Sequence, residues 1–151
     1  MSILLIQENK KVRFDYHVLE TFEAGLALTG SEVKSLRDKN IMLKDSYVSF
    51  RGNEAYLQNA HISEYSASSY NNHEPERLRK LLLHRQELEK IFAALKERGL
   101  TCVPTKIYFK KGIAKIEIAL VKGKKEFDKR DAIKKRDVDA KLRQTLRRPQ
   151  R

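Results

Sequence analysis

Apolar residues return at every second position over much of this chain, and with helical spacing in one long stretch. Residues 13–28 read as an extended segment. Phe14, Tyr16, Val18 and Phe22 share one face, while Asp15, His17, Leu19 and Thr21 share the other. Gly25 suits a bulge or bend in that strand. A short helix follows. Thr29-Gly30-Ser31-Glu32 has the form of a capping box, and Asn40 is expected to close the helix in the left-handed conformation. Residues 46–50 and 54–57 flank Arg51-Gly52-Asn53, which signals a hairpin. Residues 64–76 are rich in Ser and Asn and read as a long loop. Leu81-Leu82-Leu83 is expected to be a buried strand. Residues 85–98 predict an amphipathic helix with Leu88, Ile91, Phe92 and Leu95 on one stripe and Gly99 as its stop. The last hairpin runs from Lys106-Ile107-Tyr108-Phe109 through Lys110-Lys111-Gly112 into an alternating strand carrying Ile116, Ile118 and Leu120.

The elements sum to about six strands, one solid helix and one or two short ones. That predicts a mainly β fold with some α: a small antiparallel barrel with helices at its ends, of which the oligonucleotide-binding type is one solution. The chain has 151 residues, enough for one domain with a core. We place that domain at 1–121 and a basic C-terminal tail at 122–151. The tail has 13 Lys/Arg against 5 Asp/Glu, so it holds +8 of the total +12. Its large apolar residues are few (Phe127, Ile133, Val138, Leu142 and Leu146), and it cannot bury enough surface to fold alone. A positive tail behind a balanced body points to a polyanion, with nucleic acid first and an anionic membrane surface second. The tail lacks the aromatic face of an interfacial helix, and no apolar run reaches membrane-spanning length, so a cytoplasmic protein is expected.

Little here points to catalysis. His17, His61, His73 and His84 have no metal-ligand spacing. The carboxylates alternate with Lys and Arg and read as solvated ion pairs. There is no phosphate-cradling glycine loop and no nucleophile elbow. The single cysteine, Cys102, lies in an apolar stretch and reads as a buried thiol. No enzyme activity, metal or cofactor is expected.

The basic clusters say more. Lys10-Lys11-Val12-Arg13 leads the first strand, Arg77-Leu78-Arg79-Lys80 precedes the leucine run, Lys110-Lys111 sits on a hairpin tip, and Lys122, Lys124 and Lys125 open the tail. Brought to one surface, they would form a groove for a phosphate backbone, with Tyr16, Tyr65, Tyr70 and Tyr108 as stacking platforms. Any one pair taken singly reads better as a solubilising surface, but four clusters with a +8 tail do not.

Three strings resemble one family. Gly30-Ser31-Glu32-Val33-Lys34-Ser35-Leu36-Arg37, Arg79-Lys80-Leu81-Leu82-Leu83-His84 and Gly123-Lys124-Lys125-Glu126-Phe127-Asp128-Lys129-Arg130 are similar to motifs of small protein B, the bacterial tmRNA-binding family of ribosome rescue. Asn9-Lys10-Lys11, Asp45-Ser46-Tyr47-Val48 and Tyr108-Phe109-Lys110-Lys111-Gly112 fit in the same order. The resemblance implies an oligonucleotide-binding-type barrel whose tail is disordered in isolation and helical on the ribosome. It implies a non-catalytic adaptor that binds the tRNA-like domain of tmRNA and carries it to stalled ribosomes. The implied partners are the decoding site and mRNA channel of the small subunit. Elongation factor Tu and alanyl-tRNA synthetase are implied only indirectly, through tmRNA. A general RNA-binding or ribosomal protein with a basic tail is the alternative.

On that reading the barrel's RNA contacts are Asn9, Lys10, Lys11, Arg13, Tyr16, Glu32, Lys34, Arg37, Arg77, Arg79, Lys80, Lys110 and Lys111. Glu32 has two open roles: accepting hydrogen bonds from base amino edges, or closing the capping box. The tail's ribosome contacts are Lys122, Gly123, Lys124, Lys125, Asp128, Lys129, Arg130, Lys134, Lys135 and Arg136. Two departures stand out. Lys39-Asn40 occupies the place of the family's usual Gly-Lys pair, and Phe14 stands where a His is common.

Overall fold

In the computed structural model, residues 3–65, 72–97 and 99–123 are described. Their order is β1 (Ile3–Glu8), α1 (Lys11–Asp15), β2 (Tyr16–Leu26), α2 (Gly30–Arg37), β3 (Ile41–Met42), β4 (Tyr47–Arg51), β5 (Glu54–Gln58), β6 (His61–Ile62), β7 (Arg79–Leu82), α3 (Arg85–Leu95), β8 (Leu100–Lys110) and β9 (Ile113–Gly123). Seven strands form an antiparallel sheet in the order β1-β8-β9-β2-β7-β5-β4, and β3 pairs with β6. The sheet curls until β4 lies against β8, giving the expected small barrel with flanking helices. Its core holds Phe22, Leu36, Leu43, Leu57, Ile62, Leu81, Ile91, Ile107, Ile116 and Ile118.

Bulges produce the curl. The register shifts between Leu5 and Gln7 in β1, between Val18 and Glu20 in β2, and between Pro104 and Lys106 in β8. Each extra residue bends and twists its strand. The β2 bulge also changes which face looks inward. Phe22 and Ala24 lie opposite Ile118 and Ile116 in the core, whereas Val18 lies opposite Val121, which belongs to a second apolar cluster with Val12, Val103 and Ala119. Phe14, Tyr16, Val18 and Phe22 therefore do not share one face. The bend expected at Gly25 falls earlier along the strand.

That second cluster explains α1. Strict alternation carries a strand back to residue 13, yet residues 11–15 are helical. The helix turns Val12 onto Val103, Ala119 and Val121, leaving it 3% exposed. Burying a valine is worth about 1.5–3 kcal/mol, enough to favour one helical turn over three more strand residues.

Other boundaries shift for local reasons. The left-handed residue after α2 is Lys39 (φ 59°), not Asn40. The Lys39 N–H donates to Leu36 O (2.9 Å) and the Asn40 N–H to Ser35 O (3.0 Å), the paired bonds of a Schellman close. β7 begins at Arg79, and of the three leucines only Leu81 is buried, because Leu82 faces solvent at 53% exposure. α3 is shorter than expected, though Gly99 does take a positive φ of 86°. β1 is a strand where none was expected, and β8 starts at Leu100, six residues early. The central part of the expected 64–76 loop, with Tyr70, lies outside the described residues.

Candidate nucleic-acid interface

The sequence-predicted contacts divide into three places. The first is the end of the barrel carrying α1. Asn9 anchors the entry to the helix: its N–H donates to Thr105 O (2.7 Å) and its side chain to Pro104 O (3.3 Å). Lys10, Lys11 and Arg13 are exposed around the turn, and Tyr16, half-buried, packs beside the second cluster. None of these three cations takes part in an ion pair among the described residues. Two recesses flank the helix. One, of about 70 Å³, is lined by Asn9, Lys11, Asp15, Tyr16, Lys44 and Asp45 among others. The other, of about 230 Å³, is lined by Lys10, Arg13, Lys106, Glu8 and Glu117 among others. Lys44 and Lys106 carried no signal in the sequence, since each stands apart from any basic run.

The tail starts at the same end. Lys122 and Gly123 are the last residues of β9, not the opening of a free segment, and they pair with His17 and Tyr16. The chain therefore leaves the sheet beside α1. Lys124, Lys125, Asp128, Lys129, Arg130, Lys134, Lys135 and Arg136 lie outside the described residues.

The second place is the junction of α2 and β7. Thr29 caps α2, and its N–H donates to Glu32 Oε1 (2.9 Å) while Thr29 Oγ1 accepts from the Glu32 N–H (3.4 Å). The capping role of Glu32 is realised. Its two oxygens also accept from Arg77 Nη2 (2.7 Å) and from Arg79 Nε. Arg79 goes on to donate to the carbonyls of Ala60 (2.8 Å) and Pro75 (2.9 Å). Glu32 and Arg79 are 0% exposed, so neither offers surface to RNA, and the expectation of direct contacts from them is corrected. Burial pushes the Glu32 carboxyl up, but the Arg77 hydrogen bond, the Thr29 N–H and the Arg79 charge outweigh it and hold the group below its ordinary range. Burial pulls the Arg79 guanidinium down and Glu32 opposes it.

Nearby, His73 bridges Ser31 Oγ (2.8 Å) and Ile62 O (2.8 Å). A carbonyl only accepts, so Nε2 carries a proton and donates to Ile62 O, while Nδ1 shares a hydrogen bond with the Ser31 hydroxyl. His73 thus acts as a structural clamp, and its place in the sequence offered no sign of that. Lys34 and Arg37 are exposed on the outer side of α2, with the Lys34 ammonium 5.6 Å from the Tyr65 ring centroid. Arg77 is partly exposed and already committed to Glu32 and to Ala27 O (3.1 Å).

The third place is the far side. Lys80 pairs with Glu54 (2.9 Å) on the β5–β7 surface. Lys110 pairs with Glu23 (3.4 Å). It stands opposite Ile3, so the Lys110-Lys111 turn lies the length of β1 from Lys10, about 17 Å at ~3.4 Å per residue. Tyr108 is 6% exposed and donates to Glu23, so it is no stacking platform. Burial first, then the Glu23 bond, raises its phenol well above the ordinary range. A groove of about 630 Å³ between Phe50, Leu82, Leu88 and Phe92 also opens here, rimmed by the paired Lys80–Glu54 and Arg85–Glu89. Cys102 is buried, and desolvation pushes its thiol up to about 12. No group of three His, Cys, Asp or Glu that could hold a metal ion occurs among the described residues. No helix among them is long and apolar enough to cross a membrane.

The chain has well-matched relatives. It is 69% identical over 147 residues to the SsrA-binding protein of Bdellovibrio bacteriovorus, covering 97% of each. It is 53% identical over 138 residues to the SsrA-binding protein of Syntrophobacter fumaroxidans, covering 91% of this chain and 86% of that one. Among solved structures, a chain from "tmRNA-SmpB: a journey to the center of the bacterial ribosome" matches with a TM-score of 0.67 and 47% identity, over 80% of this chain and 85% of that one. The profile of the SmpB protein family matches residues 6–148. With the barrel and its basic end in place, these matches establish that the chain belongs to the SmpB protein family.

Proposed function

We propose that this chain is a non-catalytic adaptor that binds the tRNA-like domain of tmRNA and delivers it to stalled ribosomes in the cytoplasm. The observation that carries this reading is the 69% identity to an SsrA-binding protein over 97% of the chain, joined to cations around α1 that are exposed and hold no ion pair among the described residues. Lys10, Lys11 and Arg13 supply phosphate contacts, Asn9 and Tyr16 face sugars or bases, and Lys34 and Arg37 extend the surface along α2. Glu32, Arg77 and Arg79 support that surface from beneath. The basic segment after Gly123 enters the vacant mRNA channel of the small subunit and becomes helical there, so that bound mRNA excludes it. Elongation factor Tu and alanyl-tRNA synthetase meet the protein only through tmRNA.

The test is tagging of stalled chains in a reconstituted translation system. The cut belongs after Gly123, because an earlier one removes residues that pair with β2. The shortened protein is expected to bind the tRNA-like domain as the full chain does and to give no tagging. Tagging at the full-length level would overturn the role of the tail. Loss of RNA preference in the full chain against an equally long structured RNA would favour a general RNA binder.

A further inference from the structure

The chain leaves the barrel beside an open recess. Lys122 is the last residue of β9 to pair with β8, and Gly123 is the last to pair with β2, which begins at Tyr16. Beyond Gly123 neither neighbouring strand continues, so the chain turns away there. Next to this exit, a recess of about 310 Å³ is lined by Arg13, Tyr16 and Val18, and by His17, which is already engaged. Val12 covers one side of the second apolar cluster, but Val18, opposite Val121 and on the same face, stays 39% exposed. Leu19, the bulge residue with no partner on β9, is 56% exposed. Adjacent apolar side chains at the mouth of a recess form a patch that one more side chain can cover.

The sequence supplies one within reach. Phe127 is the first large apolar residue after Val121 and the only aromatic one after Gly123. Four residues of extended chain carry it up to ~13 Å from Gly123, and Val18 lies only ~7 Å along β2 from Tyr16, the partner of Gly123. The charges match as well. Glu126 and Asp128 flank Phe127, and Arg13 is exposed and holds no ion pair among the described residues. The later apolar residues fit less well beside an arginine. Ile133 is followed by Lys134-Lys135-Arg136, Leu142 by Arg143, and Leu146 by Arg147-Arg148.

We propose that in the free chain Phe127 docks in this recess against Tyr16 and Val18, with Glu126 paired to Arg13. The contact anchors the root of the tail to the barrel and fixes the place from which the basic segment departs. Burial of one phenyl nearly balances the ordering of four residues. The ion pair therefore weighs in the outcome, and a larger surface can draw the phenyl away.

The chain has no tryptophan, so Phe127→Trp in the full chain reports on this side chain alone. Leu142→Trp, further along the same tail, is the reference. Acrylamide quenching is measured for both at low salt and without RNA. A docked state held by half the molecules or more lowers the quenching constant at position 127 about twofold or more below that at position 142, with a blue-shifted emission. Adding Val18→Asp should raise it to the reference value. Val18→Thr keeps the side-chain shape, should raise it part of the way, and serves where the aspartate variant does not fold. Arg13→Glu should raise it too, and Glu126→Arg in the same chain should restore protection. Equal quenching at the two positions overturns the docking. Protection that survives both Val18 variants, with the far-UV spectrum and melting temperature unchanged, overturns the recess as its site. Failure of the charge swap to restore protection overturns the ion pair. Since no RNA is present, each of these failures leaves the adaptor reading intact.

Discussion

Two groups of charge on this molecule are put to opposite uses. Around α1, Lys10, Lys11, Arg13 and Lys44 are exposed and hold no ion pair among the described residues. At the α2–β7 junction, Glu32 and Arg79 are fully buried and satisfied by each other, by Arg77 and by backbone carbonyls. Both groups lie in basic or mixed strings that look alike in one dimension. Their difference comes from what the fold packs beneath them. Val12 draws only one side of α1 into an apolar cluster, so the cations stay at the surface. β7 carries Arg79 inward to meet the capping glutamate of α2. A basic residue here is therefore a candidate for RNA according to its partners, not its neighbours in sequence.

The sharpest way to break this comparison is at the buried pair. Glu32→Gln should destabilise the protein by about 3–5 kcal/mol in chemical denaturation, since it leaves the Arg79 charge buried without its partner. RNA affinity per folded molecule should hardly change. The pH dependence has a definite sign. The Glu32 carboxyl is held below its ordinary 4.5, so its contribution is present above that pH and is lost as the pH falls through the lowered value. The Gln variant should lose less stability than the parent over that acid range. A variant of parental stability that binds RNA poorly would return Glu32 to the RNA-contact role.

At the other end, Arg13→Ala should do the reverse. Affinity for the tRNA-like domain should fall about five- to tenfold, while stability stays within about 0.5 kcal/mol. A large drop in melting temperature with unchanged affinity would undo the proposed division.

A smaller effect is expected at the α2 stop. Lys39 takes a left-handed conformation that costs a side chain free energy, so Lys39→Gly should stabilise the protein by about 0.5–1 kcal/mol. The smallest belongs to Lys90, whose exposed bridge to Glu20 should be worth at most about 1 kcal/mol. Lys90→Ala should leave RNA affinity as it was.

These contrasts also show what the sequence made legible. Capping and alternation are local, so Thr29–Glu32, the hairpin through Gly52 and the β8–β9 hairpin could be read from neighbouring residues. The unlike feature was whatever depends on distant contacts. The β2 bulge reverses a face through its pairing with β9, and α1 forms because Val103 and Val121, far along the chain, await Val12. The burial of Arg79 depends on Glu32, 47 residues earlier. Lys39 was missed in favour of Asn40 because asparagine tolerates a positive φ better, while the Schellman bonds fixed the position one residue earlier. Among the exposed cations, the run at Lys10-Lys11 was plain because cations cluster there. Lys44 stood alone, and the turn after β3, seated by buried Leu43 and bonded by Gln7, brings it beside them.

The central claim is that the exposed cations at the α1 end, which hold no ion pair among the described residues, rather than positive charge in general, are the RNA-binding groups. It is tested most directly by removing two charges at a time. The salt dependence of affinity for the tRNA-like domain should be measured for Lys10→Ala/Lys11→Ala and for Lys80→Ala/Lys90→Ala. The first pair should lower the slope by about two and weaken binding more than tenfold, and the second should leave both near the parental values. Equal losses from the two pairs would mean that charge acts without a site, and would contradict the account.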